Sequence, residues 1–379
     1  MKRRLRLLGI GSVLLAGLIM VAMLGLADQT QAALLGPLNN AWQQVNPDGF
    51  GDSQSGQIPS MAMFGDHLYA GVWHSTGLTT TAQIWRSSDG TEWQQVDNHQ
   101  ANGAAHLVVF DGYLYSGSWD GQIWRSADGL IWTDVITDAF GDINNGIARF
   151  AVFSNTLYAS TWNGTTGTEI WRSSNGTSWA QFGSDGLQDN ANNGSAIASE
   201  VFNGYLYWGI GNWATGAQLW RTDGLTLTAV ITDGFGSVDN AAISSLAAFG
   251  GYLYAGLYNE QGVEVWRSPD GTTWTSVASG GFGNPETKSE NSLEVFDGQL
   301  YLVARNDSTG LEVWHSADGL QWEQVGVAGF GDVNNQWSYW DNAVTVFQSK
   351  LYVGTNNFIT GGEIWRTPDY RVYLAAVLK

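Results

Sequence analysis

The chain repeats itself, and no other feature constrains its fold as much. Leu-Tyr followed by small residues occurs at Leu68-Tyr69, Leu114-Tyr115, Leu157-Tyr158, Leu206-Tyr207, Leu253-Tyr254, Leu300-Tyr301 and Leu351-Tyr352. An aliphatic-Trp-Arg-Ser/Thr string follows each, around Trp85, Trp124, Trp171, Trp220, Trp266, Trp314 and Trp365, with His315 once replacing the arginine. An apolar run ending in Phe64, Phe110, Phe153, Phe202, Phe249, Phe296 or Phe347 precedes each Leu-Tyr, and Trp93, Trp132, Trp179, Leu227, Trp274 or Trp322 opens a fourth segment in six of the copies. The seven units have a period of roughly 40–50 residues. Their segments are β-branched and aromatic, separated by Asp-Gly, Asn-Gly or Ser-Asn turns, and no stretch has helical period. Four strands per unit at this spacing predict an all-β fold, a seven-bladed β-propeller of four-stranded antiparallel blades. We call the strands a, b, c and d in chain order.

One copy is out of place. Trp42 to Val45 reads as a strand d without its a, b and c, whereas the last unit ends after its c strand at Arg366. The simplest closure has the N-terminal strand complete the last blade, which leaves no open edge between the first and last blades. The apolar tail Tyr370–Val377 competes for that place. Residues 1–32 are expected to be a signal peptide or N-terminal anchor: basic Lys2, Arg3, Arg4 and Arg6 precede an uncharged run from Leu7 to Ala27 and a small-residue site near Ala32. Residues 33–371 form the propeller and residues 372–379 a C-terminal tail. Either fate of the leader places the protein outside the cytoplasm, secreted or at the cell surface, and touching a membrane only through that segment.

Between strands c and d most units read Ser-x-Asp-Gly-x-x-Trp, as in Ser87 to Trp93, Ser126 to Trp132, Ser268 to Trp274 and Ser316 to Trp322, with Asn175 replacing the aspartate in the third copy. This turn resembles the Asp-box, or bacterial neuraminidase repeat, in its shorter form. The motif is specific for a hairpin and not for an activity: the carboxylate takes turn N–H groups, the glycine takes positive φ, and the tryptophan packs. A sialidase would in addition imply an arginine cluster and a tyrosine–glutamate pair. Arg86, Arg125, Arg172, Arg221, Arg267 and Arg366 are spent on the repeated c-strand position, and beyond the leader only Arg149, Arg305 and Arg371 remain.

The a–b and c–d turns are tight, while the b–c and d–a connections are long and varied, so the working face is placed on the latter. Three constellations lie on strands or loops leading to it. At the exits of strand b an aromatic ring sits beside a short polar residue: Trp73-His74, Trp119-Asp120, Trp162-Asn163, Asn212-Trp213 and Tyr258-Asn259. A ring stacks on a pyranose and an amide pairs with hydroxyls; the plainer reading is that the rings cover blade ends. In the d–a loops Phe-Gly-Asp recurs near Phe50, Phe140 and Phe330. Its oxygens suit Ca²⁺, but the spacing matches no EF-hand loop and turn-stabilising side chains account for it. On strand a His106, Arg149, Glu200 and Glu294, with Glu290 and Asp341 at strand entrances, break the repeat; Glu200 and Glu294 read as an acid/base pair, or the whole set as polar lining of a wet channel.

Composition narrows the partner. Cysteine is absent from the 379 residues, which excludes a disulfide scaffold, a thiolate metal site and a thiol nucleophile. A net charge of −19 argues against nucleic acid and anionic membrane surfaces. No catalytic triad, histidine-rich cluster or phosphate loop emerges. The reading is a monomeric, non-catalytic binding propeller for an extracellular glycan or protein, with no cofactor and no metal. Its ligand residues are the five b-exit pairs together with Arg149, Glu200 and Glu294. The alternatives are a carbohydrate-active enzyme, a glycoside hydrolase or lyase with acidic residues at the channel mouth, and a structural surface protein.

Overall fold

The computed structural model describes residues 42–99, 101, 103, 106–336 and 343–368. The leader and the C-terminal tail lie outside the described residues, and with them Arg371. Among the described residues every regular element is an antiparallel strand or a short 3-10 turn.

The second sequence unit shows the pattern. His106–Phe110 (a), Tyr113–Gly117 (b), Ile123–Ser126 (c) and Trp132–Ile136 (d) pair in that order. The described strands make five such four-stranded sheets and one of eight. The eight-stranded sheet holds the third and fourth units, joined through the pair Trp162↔Ser195. Each strand a touches the strand a of the next unit, from Ser55–Phe64 through His106–Phe110, Gly146–Phe153, Ser195–Phe202, Asn240–Phe249 and Thr287–Phe296 to Val344–Phe347. Val344–Phe347 in turn touches Ser55–Phe64, so the circuit closes.

The N-terminal strand completes the last sheet. Gln43 and Gln44 pair with Arg366 and Trp365 of strand Ile364–Arg366. Val45 N–H donates to Ile364 O at 2.8 Å, and the Asn46 side chain accepts Ile364 N–H at 2.6 Å while donating to Gly362 O. The competing tail segment lies outside the described residues.

The core sits between sheets and not within them. Tyr207 and Leu219 pack on Ile243 and Leu253 of the following unit, and Tyr69 and Ile84 on Leu114 and Trp124. Each such buried side chain contributes about 1.5–3 kcal/mol. The c–d turns tie neighbours further. In the first unit Asp89 Oδ1 accepts the N–H groups of Thr91 and Glu92 at 2.8 and 2.9 Å, and Ser87 Oγ accepts Gly90 N–H. Asp128, Asn175, Asp223, Asp270 and Asp318 repeat the two backbone acceptances. Gly129 holds φ +72° and has no room for a Cβ, because the Tyr69 hydroxyl of the preceding unit lies where it would go. Gly90 stands in the same relation to Tyr352, which links the last unit to the first.

Candidate functional site

Five of the d–a loops are organised by an aromatic wedge. Phe50, Phe140, Phe235, Phe282 and Phe330 all take positive φ between 53° and 60°, a conformation that costs a bulky residue free energy. The return is packing. Phe140 stacks on Trp171 at 4.4 Å and meets Trp179 edge-on at 5.7 Å; Phe50 does the same with Trp85 and Trp93. Phe330 stacks on Trp365, and its second ring is Trp42 at 5.2 Å. The orphan tryptophan thus occupies in the last unit the place that a strand-d tryptophan holds in the others. In the second unit, which lacks the motif, His99 stacks on Trp124 at 4.4 Å.

The loop is then locked by amides. Asn163 is fully buried. Its Nδ2 donates to Asp142 Oδ2 at 3.0 Å and to Asn145 Oδ1 at 2.9 Å, and its Oδ1 accepts the N–H groups of Thr165 and Thr166. Asn212 repeats all four bonds with Asp189, Asn193, Ala214 and Thr215. Asn259 donates to Asn240 and accepts Gln261 N–H. In the first unit His74 reaches Asp52 at 3.2 Å instead. Asp120 accepts from Ser118 Oγ and from Gln122 Nε2. Hydrogen bonds from Asn144 N–H above all, and from the side chains of Asn163, Asn144 and Thr166, hold the Asp142 carboxyl below the ordinary range. The amides of Asn163 and Asn212 therefore have no donor left for a sugar hydroxyl. Sequence reasoning put these residues in contact with ligand; in the structure Asn163 and Asn212 spend both amide donors within the loops.

The rings themselves reach the surface. Trp162 is 47% exposed and Trp213 50%, while Trp73, Trp119 and Tyr258 are half-buried. Trp73 lies 5.8 Å from Trp119 and meets Phe358 edge-on at 5.4 Å, and Trp213 meets Tyr258 at 6.1 Å. Phe358, 60% exposed, was missed in the sequence. The signal was present: Trp213 directly follows its locking Asn212, and Phe358 directly follows Asn357, which makes the same bonds to Asp332 and Asn335. Exposed Leu78, Ile143 and Ile359 lie in the same b–c and d–a connections.

Also missed was a polar residue two places before each c-strand tryptophan. Gln83, Glu169, Gln218, Glu264, Glu312 and Glu363 each accept that indole's N–H at 2.7–3.0 Å. Burial raises the carboxyls of Glu169 and Glu363 above the ordinary range. These acids are framework, not chemistry.

The third constellation lies along the axis. Arg149, Glu200 and Glu294 are all on strand a, partly buried and electrostatically linked in series. Burial lowers the Arg149 guanidinium to about 10, partly offset by the Glu200 charge. Burial raises Glu200, and it lifts Glu294 to about 7 with help from Glu200. Glu200 and Glu294 pair with Tyr207 and Tyr301, whose counterparts Tyr158 and Tyr254 lie four strand positions before Trp162 and Tyr258. At about 3.3 Å per residue that is about 13 Å along the strand. Arg149, paired with Ser160, stands between the level of the carboxylates and that of the rings.

No family model matches the chain, and no curated protein matches it. Solved structures do. Over 87% of this chain and 96% of its own, the structure described as YCF48 bound to D1 peptide superposes with a TM-score of 0.54 at 13% identity. The WD40 beta propeller domain of Doa1 does so over 88% and 98%, with a TM-score of 0.56 at 11% identity. The fold is a β-propeller. In this propeller the repeated arginines are structural: Arg125, Arg172, Arg221 and Arg267 each lie 4.2–4.4 Å over a neighbouring ring. Arg305 is engaged by Asp307 at 2.6 Å. Among the described residues no group of three or more histidines and carboxylates is placed to hold a metal, and no described helix is long and apolar enough to cross a membrane.

Proposed function

We propose that the protein is an exported, non-catalytic recognition module: a seven-bladed propeller of the Asp-box type whose loop face binds an extended extracellular polymer. The observation that carries this reading is the run of accessible rings Phe358, Trp73, Trp119, Trp162, Trp213 and Tyr258, drawn from successive units and placed at or just beyond the ends of the b strands, where the amides of Asn163 and Asn212 have both donors in use. Each ring offers a shallow contact, and a polymer spanning several gains by avidity. Flat aromatic faces suit the C–H faces of a polysaccharide. A polypeptide is the second reading. It is favoured by the exposed aliphatics Leu78, Ile143 and Ile359 beside the rings, and YCF48, a propeller, is described as bound to a peptide. The enzymatic alternative is the weaker one, because Glu200 and Glu294 pair four strand positions, about 13 Å, from the level of the rings.

Titration with neutral and acidic polysaccharides, and separately with a peptide panel, distinguishes the readings. A polysaccharide that shifts the tryptophan emission, with at least about tenfold weaker binding by Trp119→Ala at unchanged folding, supports the first. A response to peptides alone replaces it with the second. Turnover of a polysaccharide that depends on Glu294 overturns both.

A further inference from the structure

Strand a carries small residues at a repeated inward position, and the exceptions are neighbours. Four residues before the closing phenylalanine the units place Ser60, His106, Arg149, Ala198, Ser245, Ser292 and Ala343. The register makes them equivalent: Ser60 pairs with Gly71, His106 with Gly117, Arg149 with Ser160 and Ala198 with Gly209, each partner three residues after the leucine of Leu-Tyr. A side chain here faces the next unit's strand a, since Ser60 Oγ accepts Leu107 N–H at 2.9 Å. Two adjacent units thus replace a small residue with a large polar one aimed along the same circuit. Two residues further on, where other units have Ala62, Ala151 or Ala247, stand Glu200 and Glu294.

These groups are poorly satisfied. His106 is 3% exposed and its Nε2 has no hydrogen-bond partner. Burial and the Arg149 charge lower its imidazole to about 3, so it is neutral at ordinary pH. The Arg149 guanidinium has no hydrogen bond and no ion pair with any described residue; the nearest charge it feels is Glu200. The Glu200 carboxylate accepts Val201 N–H at 2.9 Å. Withdrawing a guanidinium from water without a contacting counter-ion is costly, and a repeat that offers serine or alanine at this position had a cheaper choice.

We propose that the inner ends of the a strands bind a small carboxylic acid bearing a hydroxyl or ammonium group, with the carboxylate held between Arg149 and His106 and the donor held by Glu200 and Glu294. The spacing fits. Two strand residues separate the levels by about 7 Å, which a hydroxy or amino acid spans with one hydrogen bond at each end. The carboxylate gives the guanidinium its counter-ion and the imidazole N–H an acceptor. A donor on the ligand gives the two raised carboxyls a partner. A bare cation is repelled by Arg149, and a bare anion meets Glu200. The proposal does not depend on ligand binding by the aromatic face.

The probes are glycolate and glycine, with acetate and glycolamide as controls, and the signal is the His106 ring proton resonance, assigned by its loss in His106→Asn. Glycolate or glycine should shift it saturably. Acetate should act more weakly, and glycolamide, which has no carboxylate, should leave it unmoved. Arg149→Gln should abolish the response and, without ligand, melt at a higher temperature than the parent because an unpaired buried charge is gone. Trp119→Ala should respond like the parent, so failure here is separable from failure of the recognition reading. The proposal is overturned by no response to any acid, by an equal response in Arg149→Gln, or by a lower melting temperature for Arg149→Gln, which shows the guanidinium already paired inside the fold.

Discussion

Gly129 and Gly224 hold corresponding c–d turn positions at positive φ, yet they differ in what they face. A Cβ on Gly129 collides with the Tyr69 hydroxyl, whereas on Gly224 the Tyr158 hydroxyl is 3.9 Å away. Gly224→Ala should cost only the left-handed backbone term, about 1 kcal/mol. Gly129→Ala adds a steric displacement and should cost about 3 kcal/mol in urea unfolding. Equal costs would show that the tyrosine contact does not tie adjacent units. The carboxylate of the same turn type makes a pH statement. Two backbone N–H groups, of Glu92 and Thr91, hold Asp89 well below the usual range. A depressed carboxyl contributes stability above its unfolded value of 3.8 and loses it as pH falls toward the native value. Asp89→Ala should lose about 1 kcal/mol at pH 7 and lose less on acidification than the parent. Asp89→Asn should keep most of the stability, since Asn175 makes the same bonds in the third unit.

At the scale of elements the closing strand carries the sharpest claim. Trp42 to Asn46 lies more than 300 positions from its partners Ile364–Arg366, and it brings a ring for Phe330, an amide for Ile364 and Gly362, and a carbonyl for Trp93 Nε1. Trp42→Ala should remove about 3 kcal/mol and lower the melting temperature by about 5 °C. An unchanged melting curve would mean that the ring closes without it. This element was legible in the sequence because a lone copy of a repeated segment has one vacancy to fill. The loop chemistry was half legible. Phe-Gly-Asp is visible as a repeat, but sequence spacing does not say whether Asn163 faces solvent or Asp142, and an aromatic–amide pair looks the same in both cases. Phe358 escaped because the seventh unit places the amides Asn356 and Asn357 at the b-strand exit and its ring one residue further on. The glutamates before the c-strand tryptophans escaped because their role, accepting an indole N–H inside the sheet, leaves no trace in hydropathy.

At the scale of the whole molecule the residues that obey the repeat build the ring, and those that depart from it populate the loop face and the axis. The wedge phenylalanines, locking asparagines, turn aspartates and c-strand arginines recur from unit to unit and contact other recurring residues. Trp73, Trp119, Trp162, Trp213 and Phe358 vary in register around the loop face, and His106, Arg149, Glu200 and Glu294 interrupt strand a. Trp162 and Asn163 are adjacent in the chain and stand on opposite sides of this division, which makes them the most direct test. Binding of a polysaccharide that engages the parent should be measured on Trp162→Ala and Asn163→Ala at equal concentrations of folded protein, with the thermal melt recorded alongside. Trp162→Ala is predicted to melt within about 2 °C of the parent and bind several-fold more weakly, whereas Asn163→Ala is predicted to lose about 3 kcal/mol of stability and bind normally once folded. Weakened binding by Asn163→Ala with an unchanged melt, or a large destabilisation by Trp162→Ala with binding intact, would contradict the account.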